Sequence, residues 1–89
     1  MIRYRIVFTG GASRAYNALS ADVRKRIDKR LSVLQDNPRP PGIKALVGAA
    51  AGAYRLRVGD YRVLYEVHDD QVIVLVLMVG HRREVYRRK

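Results

Sequence analysis

Residues 53–65, AYRLRVGDYRVLY, carry apolar side chains at every second position on either side of Gly59-Asp60, with Arg55, Arg57, Arg62 and Leu64 between them. Tyr54, Leu56 and Val58 on one side and Tyr61, Val63 and Tyr65 on the other form the apolar stripe of a hairpin with a two-residue turn. With that loop, Val58 faces Tyr61 and Arg57 faces Arg62, so Arg55, Arg57 and Arg62 project from the face opposite the apolar one. Like charges directly opposite across a ladder are destabilising. Removing Arg62 is therefore expected to leave stability unchanged or improved.

Period 2 recurs at the start of the chain, where Ile2, Tyr4, Ile6 and Phe8 alternate with Arg3, Arg5, Val7 and Thr9, predicting a half-buried strand that ends at Gly10-Gly11. Ala12, Ala15, Tyr16 and Leu19 then fall at helical spacing, with Thr9 or Ser13 as the cap. Ser20 caps a second helix, with Asp22 in its first turn and Val23, Ile27, Leu31 and Leu34 as its apolar stripe. The prolines of DNPRPPG stop it, and the two helices form an antiparallel hairpin. Residues 42–52 carry no period and predict a loop. After a turn at residues 68–71, the apolar run 72–79 predicts a central strand covered on both faces. In that register Val67 faces Val72 and Val79 lies beside Asp60, which delivers Gly80, His81 and Arg82 to the turn end of the first hairpin. A short helical turn over 82–86 puts Arg82 and Tyr86 on one face. The expected fold is α+β: one domain over 1–89, with an N-terminal strand, a helical hairpin, a three-stranded antiparallel meander and a C-terminal helical turn, the helices on one face of the sheet. Tyr4, Tyr16, Tyr54, Tyr61 and Tyr65 lie on the apolar stripes and are assigned to the core.

Charge changes the picture from fold to partner. Eighteen Lys and Arg against eight Asp and Glu give a formal charge of +10 in 89 residues, and fourteen of those cations are arginine, the side chain suited to bidentate phosphate contacts. A polyanion, nucleic acid or acidic protein, is the expected partner. A solvated, merely arginine-rich strand face is the alternative. The chain has no cysteine, which excludes disulfides and thiol catalysis and fits a reducing cytoplasm. No secretory signal pattern follows Met1 and the longest apolar run is far short of a membrane span, so a soluble cytoplasmic protein without membrane contact is expected.

Two histidines without ligand spacing make no metal site, and neither a phosphate-cradling glycine loop nor a serine triad can be assembled. No cofactor is expected. One nuclease chemistry needs neither: RNA supplies its own 2′-hydroxyl nucleophile, arginines stabilise the extra charge of the transition state, and an aromatic ring holds a base.

The motifs YRLRVGDYRVLYEV and VGHRREVY, with the helical hairpin ending at NPR and Lys44, Leu46 and Gly48 before the first motif, resemble the RelE branch of the RelE/ParE superfamily, toxins of bacterial and archaeal toxin–antitoxin pairs. The resemblance spans essentially the whole chain. It implies a curved sheet with the helices on one face, and metal-independent cleavage of mRNA in the ribosomal A site. Arg55 and Arg57 match the family's basic positions before the turn, Arg62 the arginine after it, and Arg82 and Tyr86 the late Arg and Tyr that protonate the leaving oxygen and position the nucleotide. Where the family has a lysine that activates the 2′-hydroxyl, this chain has Arg57, whose pKa above about 12 makes it a poor base. Either His81 takes that role or Arg57 acts by electrostatics alone. Lys44, Arg83, Arg87 and Arg88 are expected to hold RNA. The implied partners are an acidic RelB-like antitoxin, the ribosome and its mRNA, and operator DNA only through the antitoxin complex. The competing functions are gyrase inhibition, as in the ParE branch, and a catalytically inactive antitoxin-binding module.

Overall fold

The computed structural model describes residues 2–46 and 52–83. Strand β1 (Arg5–Phe8) leads into helix α1 (Gly10–Asn17) and, after a three-residue link, helix α2 (Ala21–Asp36). Strands β2 (Lys44–Ala45), β3 (Ala53–Val58), β4 (Tyr61–His68) and β5 (Ile73–His81) follow, and the sheet order is β1-β5-β4-β3-β2.

Both helices start on the side chains that the sequence offers for it. The Thr9 hydroxyl accepts from the Ala12 N–H at 3.2 Å and donates to the Leu77 carbonyl, pinning the start of α1 to β5. The Ser20 hydroxyl accepts from the Val23 N–H, and Asp22 lies in the first turn of α2, complementing the helix dipole. Val23, Ile27, Leu31 and Leu34 are all buried against Leu56, Val58, Val63, Tyr65, Val74, Val76 and Val79. Each such aliphatic side chain is worth about 1.5–3 kcal/mol when fully buried. Both helices thus sit on one face of the sheet. Of the five tyrosines assigned to the core, Tyr65 is fully buried, while Tyr4, Tyr16, Tyr54 and Tyr61 pack half-buried against the edge of the core.

Four features differ from the sequence reading. Residues 42–52 were expected to be loop, yet Lys44–Ala45 pairs antiparallel with β3 as an edge strand, too short to carry a period. The first strand begins only at Arg5 and lies parallel to β5 at the opposite edge. The central strand is β4, and β5 is covered by helices on one face only among the described residues, with Ile73, Leu75 and Met78 half-buried on the other. Finally, the β4–β5 register pairs His68 with Ile73 and Val67 with Val74, and a bulge between Leu64 and Tyr65 shifts it again, so Val79 faces Val63 and His81 faces Tyr61. The four-residue turn therefore moves one residue along the chain, from 68–71 to 69–72, and within it Val72 adopts a positive φ of 55°, a conformation a β-branched side chain resists.

The end of the sheet at this turn is tied by a polar cluster. Asp69 accepts a two-pronged contact from Arg39 at 3.2 and 2.8 Å and the Tyr4 hydroxyl at 2.6 Å. Arg39 also donates to the Tyr54 hydroxyl and lies over its ring. The buried Tyr65 hydroxyl donates to the Pro38 carbonyl at 2.7 Å. Hydrogen bonds from Arg39 and then Tyr4 hold the Asp69 carboxyl down at about 2, and burial pushes the Tyr65 phenol up to about 12.

Two outcomes follow. A carboxylate with a depressed folded pKa contributes stability that is present above its unfolded value of about 3.9 and is lost as pH falls toward the folded one. Denaturant titrations should therefore show wild type losing more stability than Asp69→Asn between pH 4 and pH 2, and parallel losses would remove the ion pair from the acid response. Val72→Asn, which fits the left-handed region, should raise stability by about 1 kcal/mol. A lowered midpoint would mean that the valine side chain's packing outweighs its strain.

Candidate functional site

The turn end of the β3–β4 hairpin carries the charge. Gly59 takes a φ of 60° while Asp60 stays outside the left-handed region, the pattern of a II′ connection with glycine first. Such a loop fixes register: Val58 pairs with Tyr61 and Arg57 with Arg62, as the sequence predicts. Leu56 and Val58 turn into the core, so Arg55 and Arg57 turn to the other face. The short strand β2 adds to this face, because Lys44 pairs directly with Arg55. Two cross-strand pairs of like charge, Lys44 with Arg55 and Arg57 with Arg62, thus share the side of the sheet that the helices leave uncovered.

Depth along this face varies. Lys44 and Arg57 are exposed and Arg55 is half-buried, whereas Arg62 is only 5% exposed. Its guanidinium donates to the carbonyls of Gly59 and Tyr61, each at 3.1 Å, and so braces the turn. This corrects the expectation that removing Arg62 costs no stability: alternation gives the face of a side chain, not its burial or its backbone contacts. Among the described residues no carboxylate lies within ion-pair distance of Arg62. A nearly buried cation without a counter-charge favours an arriving anion.

The end of β5 brings the next residues alongside. The Arg82 N–H donates to the Asp60 carbonyl at 2.8 Å, which anchors the chain at the turn, and Arg82 and Arg83 are helical and exposed. His81 pairs with Tyr61, meets its ring edge-on at 5.6 Å, and accepts the Arg83 N–H on Nδ1 at 3.3 Å. Tyr61 shares a face with Val63 and Tyr65, so His81 stands on the helix side of the sheet, not with Arg57 and Arg62. Tyr86, Arg87 and Arg88 lie outside the described residues.

Two arginines of α2 that the sequence analysis does not assign reach this end of the sheet. Arg30 donates to the Arg57 carbonyl at 2.9 Å. Arg26 lies so close to the turn that a Cβ on Gly59 would come within 3.3 Å of its guanidinium. Arg30, Lys44, Arg55 and Arg57 line a cleft of about 220 Å³ closed by Pro41, Gly42 and Ile43. The only sequence signal is the i, i+4 spacing of Arg26 and Arg30, which says that they share a face but not what that face meets.

Comparison with known proteins fits this geometry. The family model for the ParE toxin of type II toxin–antitoxin systems matches residues 3–86. The mRNA interferase toxin RelE of Escherichia coli K12 is 32% identical over 85 residues, covering 93% of this chain and 90% of its own length. Toxin RelG of Mycobacterium tuberculosis is 42% identical over 45 residues, about half of each chain. Among solved structures, the RelBE2 toxin–antitoxin complex of M. tuberculosis superposes with a TM-score of 0.80 at 30% identity, covering 92% of this chain and 94% of that one. The isolated E. coli RelE toxin gives 0.78 at 26%, covering 94% and 97%. Sheet and helical pair are thus parts of one shared fold, and the chain belongs to the ParE toxin family of type II toxin–antitoxin systems as a RelE-type member of the RelE/ParE superfamily.

Proposed function

We propose that this toxin is a metal-independent endoribonuclease that cuts mRNA in the ribosomal A site and so arrests translation. The carrying observation is the cationic face opposite the helices, where Arg57 and Arg62 are held across from one another and Arg62 is nearly buried with no carboxylate paired to it among the described residues. The names of relatives such as the mRNA interferase RelE support the same chemistry.

In this reading the substrate's 2′-oxygen attacks the adjacent phosphorus. A 2′-O–P bond forms, the P–O5′ bond breaks, and the products are a 2′,3′-cyclic phosphate and a 5′-hydroxyl. Arg55, Arg57 and Arg62 stabilise the added negative charge of the transition state, which develops where donors are already fixed. Arg82 delivers a proton to the leaving 5′-oxygen and Tyr86 holds the nucleotide. Arg57 acts as a charge, since a guanidinium already holds its proton and cannot accept the one on the 2′-hydroxyl. The helix-side position of His81 favours solvent as the acceptor of the 2′-hydroxyl proton. Lys44, Arg83, Arg87 and Arg88 hold the RNA backbone. The silencing partner is an acidic RelB-like antitoxin segment, in keeping with relatives solved as RelB–RelE complexes. It orders on binding over the arginine face or displaces the C-terminal segment, and it links the toxin to operator DNA.

Incubation with programmed ribosomes should yield mRNA ends bearing a cyclic phosphate, with no effect of chelators. Arg57→Ala and Arg82→Ala should cut about 10²–10³-fold more slowly with ribosome affinity little changed, because affinity is spread over many cations. Intact mRNA together with inhibited gyrase supercoiling would replace this reading with the ParE one. His81→Ala should retain the wild-type rate and pH profile; loss of a limb near pH 6.5 would make the imidazole the base. Arg62→Ala should lose activity and also about 1–3 kcal/mol of stability. An unchanged melting temperature would show that its turn contacts are incidental.

A further inference from the structure

The cleft beside the arginine face has a wall that the catalytic set does not include. Strand β3 extends past its two-residue partner β2: the pairing of Lys44 with Arg55 would continue to Gly42 opposite Arg57, but β2 starts at Lys44. Residues 54, 56 and 58 exchange backbone bonds with β4, so the Arg57 carbonyl and N–H turn to the β2 side. The carbonyl is taken by Arg30, which reaches over from the helix layer at 2.9 Å. That bond uses one of the five N–H donors of the guanidinium, and among the described residues no carboxylate is paired with Arg30, Lys44 or Arg57.

We propose that this cleft is a phosphodiester subsite for the RNA strand adjoining the scissile bond, with Arg30 as a binding residue that also positions Arg57. The inference rests on the endoribonuclease reading. Arg30, Lys44, Arg55 and Arg57 line a space of about 220 Å³, smaller than the roughly 300–1,000 Å³ of pockets for drug-sized ligands. It takes a single phosphate and its sugar and excludes a stacked base, so it reads the backbone, not the sequence. Arg55 and Arg57 belong both to this cleft and to the face of Arg62, so a strand lying on that face continues into it. The bond from Arg30 fixes the edge of β3 at Arg57, and through it the guanidinium that faces the reacting phosphate.

The test uses the full-length toxin and an all-2′-deoxy trinucleotide, which cannot be cut, so binding is read apart from cleavage. In amide chemical-shift titrations the signals of Arg57, Gly42 and Ile43 should move saturably. Arg30→Gln should weaken that binding by about tenfold with an unchanged melting temperature, and Arg30→Lys should recover part of it. In ribosome assays Arg30→Gln should raise KM more than it lowers kcat. Equal trinucleotide affinity in wild type and Arg30→Gln, or shifts spread evenly over all surface cations, would overturn the subsite while leaving the nuclease assignment standing. So would a variant that binds the trinucleotide normally but loses an acidic antitoxin peptide, which would make the cleft a carboxylate site. Saturable binding without any ribosomal cleavage would remove the nuclease reading, and with it the place of the cleft beside a scissile bond, leaving a phosphodiester-binding site alone.

Discussion

A two-residue connection leaves a hairpin no freedom of register: with Gly59 and Asp60 as the loop, Val58 must face Tyr61 and Arg57 must face Arg62. The apolar partners of that register, Leu56, Val58, Val63 and Tyr65, are drawn to one side by the stripe of α2. The arginines are therefore committed to the other side, where among the described residues no helix neutralises or covers them. Burial on one face thus determines where the charge lies on the other. The repulsion between facing cations is borne by packing elsewhere, and it favours whatever anion arrives.

The two ends of the sheet divide the work. Around Asp69 opposite charges meet in full: Arg39 makes a two-pronged contact, Tyr4 and Tyr54 add hydroxyls, and Tyr65 ties the strand to the Pro38 carbonyl. This end joins the N-terminal segment, the loop after α2, β3, β4 and the β4–β5 turn. At the Gly59 end the cations are held by backbone carbonyls, Arg62 on Gly59 and Tyr61 and Arg30 on Arg57. Carbonyl partners orient a guanidinium without cancelling its charge. That separation lets the fold keep a closed core and still present an electropositive, pre-set surface.

Legibility in the sequence followed how many constraints acted on each residue. The α2 stripe and its Ser20 cap were readable because helical period, cap and proline stop agree. Arg57 opposite Arg62 was readable because a two-residue loop allows one register. The β4–β5 pairing was not, since its longer loop admits several registers and the outcome depends on Val72 at positive φ and a bulge at Leu64 and Tyr65, neither of which has a composition signal. Strand β2 has two residues and no period to detect. The near-complete burial of Arg62 and the reach of Arg30 to the Arg57 carbonyl, a contact between distant segments, are features that alternation and helical spacing cannot express.

Assigning catalysis to the cationic face requires a reaction whose nucleophile comes from the substrate. The most direct measurement is cleavage, by the wild-type toxin on programmed ribosomes, of an mRNA carrying one 2′-deoxy nucleotide immediately 5′ of the scissile phosphate. Attack by the 2′-hydroxyl predicts that this message stays intact at that position while an all-ribose message is cut. Cleavage of both at equal rates would show that the nucleophile lies elsewhere and would contradict the assignment of the arginine face to this chemistry.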